Sequence, residues 1–353
     1  MTHQITMPPL VRIGLSEPTS KPILNAIRRH RMPILVSANL FACKGYSNLD
    51  LPKHLRSFGR TFNGFRPVPQ ELLGLDVALD SAGYVMWRRY GSFIWSPQAY
   101  IRFAASFPFT WVAQMDYACE PQLAPTEEAV RARLAMTANM YHWCKHYADK
   151  HRVNLIPVLQ GVRPDHYMIS ADYVEPEAGT LIGLGSFCRR PTRDMEAIID
   201  RLDRTLDPSI KFHLFGVESA ALSVFRDHPR LTGTASLRGS VDSSAWNESH
   251  RRYVHRRGEP ATATSKAFYL TSWYAEQIER LTSRPRRQLP PGIPPHLLPP
   301  GIPRCRVERA YRDIIEEYYE LIACGEIPGN ANIEAWALTE IADRLDQYDE
   351  TRA

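Results

Sequence analysis

From residue 33 onward the chain alternates short, β-rich apolar runs with amphipathic helical stretches, and this alternation constrains the fold more than any other feature. Runs at about 33–40, 75–80, 111–116, 154–160, 181–186, 211–217 and 238–242 read as strands. Most are apolar on both faces, as parallel strands buried between layers must be. A helix is predicted over 125–150, where Pro125, Thr126, Glu127 and Glu128 give a start signal and Val130, Leu134, Ala138 and Tyr141 recur at helical spacing. A second is predicted over 191–206, opening on Pro191 and carrying Met195, Ile198, Ile199 and Leu202 on one stripe. Seven or eight strand–helix units without a glycine-rich dinucleotide fingerprint predict a closed (β/α)8 TIM-like barrel, with an open doubly wound sheet as the alternative.

With 353 residues, the chain is long enough for one such barrel plus an addition. A 44% hydrophobic and 23% charged composition argues against wholesale disorder. There is no apolar run of membrane-spanning length, and Met1-Thr2-His3-Gln4 does not begin a secretory signal, so a cytoplasmic location without a membrane partner is expected. The organisation predicted is a barrel over 1–283, a Pro-rich connector over 284–304 and a helical extension over 305–353 docked on the barrel or on a partner. The connector repeats Leu-Pro-Pro-Gly-Ile-Pro, which cannot be helix or central strand. Helices over 306–323 and 332–348 make up the extension.

Several strands run into a polar residue: Asp80, Asp116, Gln160, Ser186, Glu218 and Asp242. In a barrel these ends share one rim, where catalytic groups gather. Taken singly, Asp80, Asp116 and Asp242 also read as turn or helix-capping aspartates and Gln160 as a satisfied buried amide. Trp246 is close enough to Asp242 to shape a pocket, whereas the other tryptophans read as core or rim. His142, His146 and His151 lack a third ligand or the His-Glu-x-x-His form, and the six cysteines, 43, 119, 144, 188, 305 and 324, have no zinc or disulfide spacing. No metal or cofactor is expected. The net charge of +5 is concentrated in part at Arg251, Arg252, His255, Arg256 and Arg257 and at Arg284, Arg286 and Arg287, either nucleic-acid contacts or a solvated basic face.

In chain order the strand ends read Asp80-Ser81-Ala82-Gly83-Tyr84, Met115-Asp116-Tyr117, Val158-Leu159-Gln160-Gly161, Ile182-Gly183-Leu184-Gly185-Ser186, His213-Leu214-Phe215-Gly216-Val217 and Val241-Asp242-Ser243. This succession resembles the tRNA-guanine transglycosylase superfamily over roughly residues 33–250. The pattern there is Asp-Ser-Gly-Gly-Phe/Tyr, a base-reading Asp, Gln-Gly, Gly-Gly, Gly-Val and a nucleophilic Asp. The chain departs from it at Ala82, at the interrupted pair Gly183-Leu184-Gly185, and in lacking the Cys-x-Cys-x-x-Cys and His zinc module of the tRNA enzymes. Without that module it is most similar to the DpdA-type 7-deazaguanine DNA transglycosylases.

The resemblance implies replacement of guanine in DNA by a 7-deazaguanine such as preQ0, in a bacterial or phage-infected cell. It makes Asp242 the nucleophile and Asp80 the general acid/base. Ser81, Tyr84, Asp116, Gln160, Gly161, Gly185, Ser186, Gly216 and Val217 would bind the base, with Asp116 accepting from guanine N1–H and the exocyclic amine and Gln160 facing O6. Arg251, Arg252, Arg256 and Arg257 would contact phosphates, and a partner protein for DNA access is among the expectations. The alternatives are a tRNA enzyme with an altered C-terminal module, a hydrolytic glycosylase, and a non-catalytic nucleic-acid-binding barrel subunit.

Overall fold

The structure, a computed structural model, describes residues 7–46, 60–188, 190–217 and 225–282 and a few single positions between 307 and 345. Its principal sheet is parallel throughout. The strands of the chain are β1 (Leu10–Leu15), β2 (Ile34–Ser37), β3 (Ala42–Tyr46), β4 (Arg60–Phe65), β5 (Val77–Asp80), β6 (Val112–Ala113), β7 (Leu155–Ile156), β8 (Val158–Leu159), β9 (Leu181–Leu184), β10 (Lys211–Leu214) and β11 (Ser240–Ser243). Across the principal sheet the order is β7-β6-β5-β2-β1-β11-β10-β9-β8. The two end strands, β7 and β8, are successive pieces of one segment, 155–159, divided at Pro157. The sheet therefore closes on itself, and with β7 and β8 taken as one strand it is the predicted (β/α)8 barrel.

Pro157 explains the division. It has no N–H to donate to a ladder. Its carbonyl accepts from Gly183 N at 2.8 Å, and the following N–H, that of Val158, donates to the side-chain Oε1 of Gln114 at 3.0 Å. Inside the barrel, Leu35, Ala78, Trp111, Ala113, Ile156 and Val158 form a buried cluster, with Leu181 and Phe215 packed on it. Because side chains alternate along a strand, Asp80, Gln160 and Asp242 share the inward face with Ala78, Val158 and Ser240, two residues before each.

The strand β1 lies outside the expected set. Arg12 and Gly14 interrupt its apolar pattern, and Arg12 is tolerated inside because its guanidinium is paired with Asp76, Nη1 to Oδ1 at 2.9 Å and Nη2 to Oδ2 at 3.3 Å. The antiparallel β3–β4 hairpin lies outside it too. Its Phe62 and Phe65 pack on Trp95, and Phe65 stacks on Phe103 at 4.4 Å. The other strands are shorter at their C-terminal ends than predicted, with the exception of β5 and β11, because the residues just past each strand turn away to build the rim.

The outer helices include Glu127–His151 and Thr192–Asp203, at the two predicted places. The first is capped by Thr126, whose Oγ1 accepts from Ala129 N at 3.1 Å. Among the described residues no helix is long and apolar enough to cross a membrane. The chain divides into two compact units, Met1–Cys188 with Ala197–Thr282, and Arg189–Glu196 with Ser283–Ala353. Glu218, the Pro-rich connector with its arginines, and most of 305–353 lie outside the described residues. Val307, Ala310, Tyr311 and Ile314 are described, each helical and buried.

Candidate active site

Four of the predicted base-reading side chains form one chain of hydrogen bonds at the barrel mouth. Ser81 Oγ donates to Asp116 Oδ1 at 2.7 Å, and Gln160 Nε2 donates to Asp116 Oδ2 at 2.5 Å. Ser186 Oγ donates to Gln160 Oε1 at 2.6 Å and itself accepts from Cys119 N at 2.9 Å. All four are buried. Burial pushes the Asp116 carboxyl upward, and the bonds from Ser81 and Gln160 oppose that shift.

The glycines make this packing possible. A Cβ on Gly185 would overlap Gln160 Nε2, and one on Gly83 would overlap the Asp116 carbonyl oxygen. Gly183, the other half of the interrupted pair, leaves room for the Phe215 ring, which a Cβ would meet at 2.5 Å. Both glycines of that pair thus serve close approach, and Leu184 between them is buried on the opposite face. At Gly161 a Cβ would come within 2.8 Å of both His166 and Tyr167. Ala82 is left-handed at φ 67°, which explains why glycine suits that position in the resembling family.

Asp80 ends β5, half-buried, with Oδ2 accepting from Ala82 N at 3.0 Å. Burial, then the charges of Asp116 and Asp242, raise its carboxyl from the ordinary 3.8 to about 7. That coupling places all three carboxylates in one electrostatic site. Asp242 is largely buried; its Oδ1 accepts from Gly216 N at 2.9 Å, with Gly216 left-handed at φ 68° and Val217 buried beside it. Tyr84 lies on the exposed side of the helix Gly83–Tyr90, its hydroxyl accepting from Gln122 Nε2 at 3.3 Å.

His213 joins the site without a role expected from the sequence. It is fully buried on the inward face of β10, with Nε2 3.3 Å from Asp242 Oδ1 but off the line of a hydrogen bond. Its Nδ1 is 2.7 Å from Ser240 Oγ, and the rings of Phe215 and Trp111 lie 4.4 and 4.7 Å away. Burial lowers the imidazole pKa against the opposing pull of Asp242. The sequence does carry a signal for it: a titratable residue in period-two register with Phe215 on an otherwise apolar strand.

Other expectations fare differently. Trp246 is fully buried and donates from Nε1 to the Gly14 carbonyl at 3.1 Å, so it pins the helix after Asp242 to β1 instead of facing the mouth. The basic segment lies on the helix Ala245–Arg257, which starts at the mouth and runs away from it. Arg251 and Arg252 sit about two turns down, and Arg256 and Arg257 in the last turn, roughly 18 Å from its start. Arg257 pairs with Glu259 at 2.6 Å and lies over the Tyr253 ring. His142 and His146 are exposed on their helix. Among the described residues no three His, Cys, Asp or Glu side chains gather as a metal site; Cys305 and Cys324 lie outside them.

No curated protein matches the chain. The family model of DpdA, DeoxyPurine in DNA protein A, matches residues 66–283. That span is more than half of the chain and contains Asp80, the Asp116–Gln160–Ser186 network and Asp242. The chain belongs to the DpdA family.

Proposed function

We propose that this barrel exchanges guanine in DNA for a 7-deazaguanine, preQ0 being the incoming base, through a covalent intermediate on Asp242. The carrying observation is the joining of Ser81, Asp116, Gln160 and Ser186 into a buried polar network beside two carboxyl groups held in different surroundings. Asp116 and Gln160 offer a carboxylate and a carboxamide to the edge of a flipped guanine, while Tyr84 offers an accessible ring for stacking. Asp242, held by Gly216 N–H, attacks the sugar C1′ as the bond from C1′ to guanine breaks, and Asp80 gives its proton to the departing base. The incoming 7-deazaguanine then loses a proton to Asp80 and takes C1′ from Asp242. An acid poised near neutrality suits both halves of that exchange. No cofactor enters the scheme. Arg251 and Arg252 are closer to the mouth than Arg256 and Arg257 and are the better placed to meet a phosphate.

The test is incorporation of labelled preQ0 into duplex DNA, single-stranded DNA and tRNA in parallel, with Asp242→Ala and Asp80→Ala as controls. Label in DNA that both variants lose supports the reading. Label only in tRNA moves the substrate to RNA, release of guanine without uptake of label makes the enzyme a hydrolase, and binding without either reaction makes it a non-catalytic subunit that works with a partner.

A further inference from the structure

At the end of the barrel opposite the mouth is a cavity of about 330 Å³, lined among others by Arg12, Asp76, Trp111, Thr180, Ser236 and Arg238. It lies where the strands begin and contains none of the residues placed in base exchange. Its charge is unbalanced: Asp76 is the only carboxylate among its described lining residues, against two guanidinium groups. Asp76 is already occupied by the Nη1 and Nη2 fork of Arg12 and by the hydroxyl of Thr110, which donates to Oδ1 at 2.5 Å. Arg12 is only 2% exposed, and its Nε has no hydrogen-bond partner. Arg238 is half-buried; its one described bond runs from Nη1 to the Pro8 carbonyl at 3.3 Å, and Asp76 acts on it through space without pairing.

We propose that this floor cavity is a binding site for a phosphate group, carried by a small molecule or as the free ion. Guanidinium groups recognise oxyanions through planar forks of donors. Here the open donors are those of Arg238, from the turn before β11, while the enclosed Arg12, from β1, contributes positive charge to the cavity wall. The Ser236 hydroxyl, 2.9 Å from Thr234 Oγ1, adds a rotatable donor from the same turn. Burial lowers the pKa of both arginines, and the charge of Arg238 adds to the burden on Arg12, so a bound dianion would relieve two desolvated cations at once. The volume exceeds that of phosphate and reaches the lower end of small-ligand pockets.

Thermal unfolding of the full chain at fixed ionic strength, with chloride replaced stepwise by inorganic phosphate or by guanosine monophosphate, tests this. A ligand at ten times its dissociation constant multiplies the folded-to-unfolded ratio by about 11. The expected result is a rise in midpoint that Arg238→Gln abolishes. Arg238→Lys, which keeps charge but not the fork, is expected to weaken it, and serves if Arg238→Gln does not fold. Equal shifts from both ligands make the phosphate group the whole ligand, and a larger shift from the nucleotide fills the rest of the cavity with a nucleoside. No shift from either, or a shift unchanged in both Arg238 variants, overturns the proposal. Binding here does not depend on base exchange, so the two readings fail separately.

Discussion

Replacing Asp80 by Asn should stabilise the protein at alkaline pH and do so less at acid pH. The carboxyl is held at about 7 in the folded protein against an ordinary 3.8, by burial first and then by Asp116 and Asp242. The folded state thus binds the Asp80 proton more tightly than the unfolded chain, and stability falls as pH rises from about 4 through 7 before levelling off. A raised value of this kind contributes stability that is complete below the unfolded pKa and lost as pH climbs through the folded one. The full span is on the order of 4 kcal/mol, of which about 1.7 is already lost at pH 5 and nearly all at pH 8. An asparagine side chain has the same shape and no charge to lose, so the gap in stability between Asp80→Asn and the parent should widen by about 2–3 kcal/mol between pH 5 and pH 8. Thermal midpoints of both proteins at the two pH values measure it as a difference of several degrees. A gap of equal size at both would refute the reasoning and show that Asp80 ionises freely. Under the proposed function the same substitution should abolish exchange, and the residue would then cost stability where it supplied chemistry.

Gly185→Ala places a Cβ where Gln160 Nε2 now sits and forces the amide off Asp116; loss of one charge-assisted hydrogen bond, about 1.5–3 kcal/mol, should lower kcat/KM for base incorporation roughly 10- to 100-fold, and a value within twofold of the parent would contradict the base-reading role. His213→Asn should slow exchange about 10- to 100-fold by loosening the orientation of Asp242 while leaving KM for the incoming base unmoved; a KM effect alone would make the histidine a packing residue. Ala82→Gly trades a left-handed alanine, which costs about 1–2 kcal/mol, for greater chain entropy in the unfolded state, and should raise the thermal midpoint by a degree or two in a melting experiment.

The fold was legible because burial on two sides leaves parallel strands few polar residues, and seven runs show that pattern. The strand β1 does not, since its solution to an interior arginine is Asp76, 64 residues away and invisible to any local window. The hairpin is hidden for a similar reason: Phe62 and Phe65 are anchored by Trp95 and Phe103 from later in the chain. In the site, the order of polar strand ends was enough to bring Ser81, Asp116, Gln160 and Ser186 together, because barrel topology converts sequence order into adjacency round a rim. For the arginines, nearness to Asp242 in sequence says nothing of the direction in which their helix leaves the mouth. The same nearness misleads at Trp246, whose large ring is worth more buried than exposed.

The interruption at Pro157 gives Gln160 a second occupation. The backbone ladder is broken at this segment, where one side chain, Gln114, already stands in for a missing strand bond. Three residues past the proline, the Gln160 amide ties Asp116, beyond β6, to Ser186, beyond β9, and so laces together the two flanks of the divided stave. Under the proposed function, a guanine that recruits the Asp116 and Gln160 groups would have to take over bonds they now make to each other. Recognition would then be a contest between an internal knot and an external one: a purine with the right edge would retie what it undoes, and one with the wrong edge would leave the cask sprung.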